Sequence, residues 1–144
     1  MKPVRCAVAA VLRNPANQRE FLAVRRPPDD DRLPDVWGLP AVSLAPSELP
    51  EAALRRIGRE KLAATIEPAS FVGIKSMDRG DYELILMDIE ARLLSGEPDV
   101  RRAETRATRY VDQRWTGDLL LLRDAARRGS LCSQLLLEAS GVEY

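Results

Sequence analysis

Apolar and polar positions alternate along much of the chain, and that pattern predicts a sheet first. Val4 to Leu12 is rich in valine and alanine, and Phe21 to Val24 forms a second short apolar run after the turn-like Asn14-Pro15-Ala16-Asn17. Apolar runs bounded by Asn and Pro read as two strands joined by a hairpin. Phe71 to Met77 and Tyr82 to Leu93 flank Asp78-Arg79-Gly80-Asp81, which predicts a second hairpin with glycine inside the turn. In its second arm Ile85, Met87, Ile89, Ala91 and Leu93 alternate with Leu86, Asp88, Glu90 and Arg92. The period of two predicts a long strand with one face buried throughout and the other turning polar.

Helical spacing takes over in the middle and at the end of the chain. Ser47 is placed to cap a helix that carries Pro50 and Glu51 in its first turn and reaches Ala63 or Ala64. Its inward positions are Ala53, Leu54, Ile57 and Leu62, and Arg56 to Glu60 is an i,i+4 ion pair. Thr105 to Val111 reads as a further strand ending near Tyr110-Val111. Leu119 to Ala126 and Leu131 to Ala139 have the leucine density of packed helices, separated by Arg127-Arg128-Gly129-Ser130. Between the first hairpin and the first helix, Arg26 to Asp35 is a loop whose prolines and aspartates exclude regular structure.

Composition narrows the chemistry. The length of 144 residues fits one compact domain spanning 1–144. Lys plus Arg and Asp plus Glu each number 22, so no global field would draw the chain to nucleic acid or an anionic membrane, and no nucleic-acid duplex is expected as a partner. The arginine pairs, such as Arg55-Arg56 and Arg101-Arg102, read as solvated faces or as local recognition sites. The chain contains no histidine, which removes Ser-His-Asp and Cys-His catalysis and every zinc site that needs imidazole. Cys6 and Cys132 have no metal-ligand spacing and read as buried or idle thiols. Carboxylates and cations must carry any chemistry. The apolar run at the start is too short for a membrane span and lacks a cleavage site, so a cytoplasmic location with no membrane partner is expected.

The order of strand pair, loop, Trp37-Gly38-Leu39-Pro40, capped helix, hairpin, strand and terminal helices resembles the Nudix fold across most of the chain. That resemblance implies an α/β/α sandwich with a mixed β-sheet between helices. The family's box, G-x5-E-x7-R-E-U-x-E-E-x-G-U with U a bulky apolar residue, can be laid on Val42 to Ala64 without a gap. Glu48, Arg56 and Glu60 match it. Val42 and Ala63 stand where the family has glycine, and Ile57 and Lys61 replace two glutamates. In the family's pattern several carboxylates on one helical face hold Mg2+ or Mn2+ against a diphosphate. The resemblance therefore implies a hydrolase acting on a nucleoside diphosphate linked to another moiety, with Mg2+ or Mn2+ if it is active and no cofactor if it is not.

By the same resemblance, Glu48, Glu60 and Glu104 are the candidate metal ligands, and Glu60 and Glu104 the candidate catalytic acids or bases. Arg26, Trp37, Arg56 and Lys61 are the candidate substrate contacts. The departures weigh against the metal: Ile57 cannot ligate one and Lys61 would repel it. A lysine can instead contact a phosphate directly, so Lys61 reads either as a phosphate contact or as a solvated charge. Trp37 reads either as a stacking platform for a base or as a packed plug. Two rivals to a working hydrolase stay open. One is a non-catalytic nucleotide-binding or protein-interaction domain that has kept the fold. In the other, the leucine-rich face of Leu119 to Tyr144 pairs two copies into a homodimer.

Overall fold

The computed structural model describes every residue except 105–107. Two antiparallel strands, β1 (Val4–Asn14) and β2 (Asn17–Arg25), form the first hairpin, followed by the short β3 (Trp37–Gly38) and β4 (Ala41–Ser43). Helix α1 (Pro50–Ile57) runs into a π-helical turn at Gly58–Leu62. The long pair β5 (Thr65–Asp78) and β6 (Glu83–Ser95) comes next, then β7 (Asp112–Thr116), α2 (Arg123–Arg127) and α3 (Leu131–Ala139). The strands run in the order β3-β2-β1-β6-β5, with β4 paired to β1 and β7 paired to β2. Only β1 and β6 are parallel among the pairs of the described residues. The architecture is the expected mixed sheet with helices on its faces.

Period-two alternation divides the core into two clusters. Val8, Ala10 and Leu12 of β1 point toward α1, where they meet Ala53, Leu54, Ile57 and Leu62. Ala9 and Val11 point the other way, toward Leu131, Leu135 and Leu136 of α3. All four predicted inward positions of the first helix are buried. Ile57 is fully buried, and such burial contributes roughly 1.5–3 kcal/mol for a side chain of its size. Ile57 is thus a core residue.

The first helix departs from its predicted start. Leu49, not Ser47, occupies the cap position and supplies no side-chain hydrogen bond, while Ser47 sits at φ 64° in the approaching turn. Pro50 compensates, because its fixed φ suits the first helical position and it has no N–H to satisfy. At the far end, Ala63 holds a left-handed conformation, φ 52°, where the family box has glycine. Glycine is the residue type that suits this conformation best. Gly58 is demanded by close packing: a Cβ there would lie 2.6 Å from the Ala64 carbonyl oxygen and 2.9 Å from Ile66 Cγ1. This glycine lets the π-helical turn rest directly on β5.

Two further expectations are corrected. Residues 105–107 of the predicted strand Thr105 to Val111 lie outside the described residues, and Thr108 to Val111 is irregular. Tyr110 is instead buried against β4, and pairing to β2 runs through Asp112–Thr116. On β6, the face expected to turn polar is covered by α3, so Asp88 is fully buried there. Cys132 is buried and Cys6 exposed. The leucines Leu131, Leu135, Leu136 and Leu137 of the C-terminal segment are spent on the second core cluster. No helix among the described residues is long and apolar enough to cross a membrane.

Candidate functional site

A cleft of about 360 Å³ opens beside β4 and the π-helical turn. Its walls include Ala7, Arg26, Ala41, Arg56, Lys61 and Tyr110, so with Glu60 it gathers residues from five separate stretches of sequence. Strand β1 supplies Ala7, Arg26 follows β2, β4 supplies Ala41, the helix and its π turn supply Arg56, Glu60 and Lys61, and the segment before β7 supplies Tyr110. The volume lies within the usual range for small-molecule sites.

Lys61 is the central cation. The residue is 4 % exposed overall, yet its side chain forms part of the cleft wall. Nζ donates to the Thr108 carbonyl oxygen at 2.7 Å and stands 5.2 Å from the centroid of the Tyr110 ring. Burial, and then the positive charge of Arg26, push the Lys61 ammonium down to a pKa of about 8. Arg26 is paired to Asp30: Nη2 donates to the carboxylate at 3.3 Å, while Nε stands 3.2 Å from it without an aligned hydrogen bond. Burial alone would raise Asp30, and the Leu33 N–H together with Arg26 holds it below its usual value.

The carboxylates are tied up differently. Arg56 Nε and Nη2 donate to Glu48 at 3.0 and 2.9 Å, and Nη1 donates to Glu60 at 3.1 Å. Glu48 also accepts the Ala45 N–H at 2.9 Å. The Arg56 guanidinium, followed by that N–H, holds the Glu48 carboxyl below its ordinary range, and Glu48 reciprocally raises Arg56. Glu48 is thus a clamp that fixes Arg56, and it does not line the cleft. The predicted i,i+4 pair between Arg56 and Glu60 is present.

Glu104 is near Glu60 in backbone only. Its N–H donates to the Glu60 carbonyl oxygen at 2.8 Å, but its exposed side chain lines a different depression with Arg55, Arg59 and Arg102. Trp37 is half-buried against the second core cluster, with the Arg114 guanidinium 4.8 Å over its ring, and it is not part of the cleft wall. Of the residues singled out from the sequence, the cleft therefore gathers Arg26, Arg56, Glu60 and Lys61 and leaves Glu48, Trp37 and Glu104 outside. Tyr110 was not singled out as a site residue. No motif marks it, and its contact with Ala41 joins residues 69 apart in the chain.

A family model for the NUDIX domain matches residues 3–130 of the chain. The chain belongs to the NUDIX domain family. The NUDIX hydrolase from Nitrosomonas europaea superposes with a TM-score of 0.72 at 23 % identity, over 99 % of this chain and 93 % of that one. The MutT protein from Methanosarcina mazei Go1 follows the same path with a TM-score of 0.67 at 19 % identity, over 95 % and 96 % of the two chains. An ADP-ribose pyrophosphatase from Streptococcus suis 89-1591 gives a TM-score of 0.60 at 19 % identity, over 97 % and 94 %. At these identities the likeness concerns the fold. Among curated protein sequences, none matches this chain.

NUDIX hydrolases generally use divalent metals. The residues of this cleft do not fit such an ion. Glu48 and Glu60 are already bonded to Arg56, the cleft-lining Lys61 carries positive charge, and no group of three or more acidic or thiol side chains converges among the described residues. A hard cation that dehydrates reluctantly needs oxygen ligands arranged around it, not an ammonium among them.

Proposed function

We propose that this NUDIX domain binds a nucleoside diphosphate-type ligand in the cleft through its own cations. The observation that carries this reading is Lys61 on the cleft wall, nearly buried and with no carboxylate in ion-pair contact among the described residues, beside Arg26, whose guanidinium is paired to Asp30. A lysine ammonium and a guanidinium are both strong phosphate contacts, and each becomes more effective where water is excluded. The apolar surfaces of Ala41, Val42 and Tyr110 offer the nucleoside a place beside the charges. Chemically, the arrangement holds a phosphorylated molecule without needing a metal to neutralise it.

A second reading, slow hydrolysis, is favoured by one observation: Glu60 lines the same cleft. A water held by Glu60 would attack one phosphorus, the bond from that phosphorus to the bridging oxygen would break, and the water's proton would pass to Glu60. With one Glu60 oxygen already accepting from Arg56, this step is expected to be slow.

Calorimetric titration with ADP, with a nucleoside diphosphate sugar and with pyrophosphate tests both readings, run in EDTA and again in Mg2+ or Mn2+. Binding that persists in EDTA and weakens about tenfold in Lys61→Met supports the first reading. Binding that appears only with metal would overturn it. Phosphate or nucleotide release abolished by Glu60→Gln would establish the second. If turnover with Mg2+ or Mn2+ appears only in Lys61→Glu, whose side chain lines the cleft, the natural chain is a binder.

A further inference from the structure

Tyr110 meets Lys61 in a way the phosphate reading does not require. The hydroxyl is pinned to β4, where the Ala41 N–H donates to it at 3.0 Å. The ring is buried, 5 % exposed, and Lys61 Nζ stands 5.2 Å from its centroid. The carbonyl oxygen of Thr108, two residues earlier, accepts a hydrogen bond from Lys61 Nζ at 2.7 Å. On either side this segment is stitched down, by Glu104 N–H to the Glu60 carbonyl and by Val111 N–H to the Arg25 carbonyl, at 2.8 and 2.9 Å.

A buried lysine with no carboxylate in ion-pair contact is costly even with the Glu60 charge across the cleft, and its long side chain has several rotamers in which to escape. A carbonyl oxygen and the negative face of an aromatic ring both attract an ammonium without neutralising it. They can therefore hold Lys61 in place and still leave its charge free for an incoming anion. A carboxylate in the same place would cancel that charge.

We infer that Tyr110 is a positioning residue: its ring, with the Thr108 carbonyl, seats the Lys61 ammonium in the cleft in the direction from which a ligand phosphate meets it. This rests on the phosphate reading for its purpose, but the seat itself exists in the unliganded protein and can be measured there. The ring is the working part. The hydroxyl serves to anchor the ring on β4.

The test combines a ligand-free spectrum with a double-mutant cycle. In protein carrying 13C at the lysine ε-carbons, the Lys61 methylene should be shifted by the Tyr110 ring current. That resonance is identified by its disappearance in Lys61→Met, and it should survive in Tyr110→Phe and move to the ordinary lysine position in Tyr110→Leu. A Lys61 signal at the ordinary position in the wild-type protein overturns the inference, even if Tyr110→Leu cannot be folded. With pyrophosphate as probe in EDTA, Tyr110→Phe should bind within about twofold of wild type and Tyr110→Leu about fivefold more weakly. In the Lys61→Met background Tyr110→Leu should change nothing further, because its effect acts through Lys61. Equal weakening in both backgrounds would assign Tyr110 to structural support alone and overturn the inference, as would equal loss in the Phe and Leu variants. A wild-type protein that shows the shifted methylene and binds no pyrophosphate would remove the phosphate reading and leave the seat standing.

Discussion

Two charged residue types are buried on opposite faces of the same sheet, and they are treated in opposite ways. Lys61, on the α1 side, has a carbonyl oxygen, an aromatic face and open cleft space around it. Asp88, on the α3 side, is paired by backbone to Ala9 and Gly73, and both of its carboxyl oxygens are buried without a partner. Burial pushes the Asp88 carboxyl up to about 9, far above its ordinary value of 3.8, and burial likewise raises the neighbouring thiol of Cys132. A buried charge that keeps partners and an opening can remain charged and act. One without partners gives up its charge and becomes a polar core residue.

The largest effect expected from this contrast is on stability. Because Asp88 holds its proton to about pH 9 in the folded chain and loses it near 3.8 when unfolded, unfolding releases a proton throughout that window. Stability therefore falls as pH rises through the window, by about 1.4 kcal/mol per unit from this group, and the loss is complete above the folded value. Asp88→Asn removes this share. Urea unfolding of both proteins at about pH 5 and about pH 8 should show the variant gaining several kcal/mol relative to wild type. Parallel stability curves would mean that the folded carboxyl is not held protonated, and the contrast would fail.

On the other face the effect should fall on the ligand. Lys61→Met is expected to weaken ADP binding in EDTA about tenfold, or about 1.4 kcal/mol, while the chain stays folded. An unchanged dissociation constant would make Lys61 another core residue like Asp88. A subtler signature is its pH profile. The ammonium is the phosphate-binding form and its pKa is lowered to about 8, so affinity should decline as pH rises past that value. Bound phosphate will move the midpoint upward, and Lys61→Met should lack the transition altogether.

The smallest effect concerns the backbone that presents Lys61. Ala63 ends the π-helical turn in a left-handed conformation that glycine adopts without steric cost. Ala63→Gly should stabilise the chain by about 1 kcal/mol, read as a higher melting temperature. A lower melting temperature would show that the alanine methyl contributes more by packing than the conformation costs.

Much of the frame is legible in the residues alone. The hairpin around Gly80, the long alternation of β6 and the inward set Ala53, Leu54, Ile57 and Leu62 all follow from local periodicity. The span Leu131–Ala139 is a helix as its leucine density predicts. Within the cleft, the alignment of the box identified Arg56, Glu60 and Lys61, and the position after the second strand identified Arg26. The cap at Ser47 was misplaced because a serine before a helix is a good cap only if its backbone is extended, and here a left-handed turn intervenes. Asp88 falls on the face that alternation predicts to turn polar, because alternation names the two faces of a strand without saying what covers them.

By itself, the sequence determined the two long hairpins and the inward face of the first helix, that chemistry needing histidine is excluded, and that basic residues outnumber acidic ones between Pro50 and Leu62. Those are properties of neighbouring residues and of composition. Tertiary structure alone decided that Glu104 turns away while its backbone touches Glu60, that α3 buries Asp88, and that Tyr110 lies beneath Lys61. Each depends on contacts between residues far apart in the chain, set by how the sheet and its covering helices pack, and no local period encodes them.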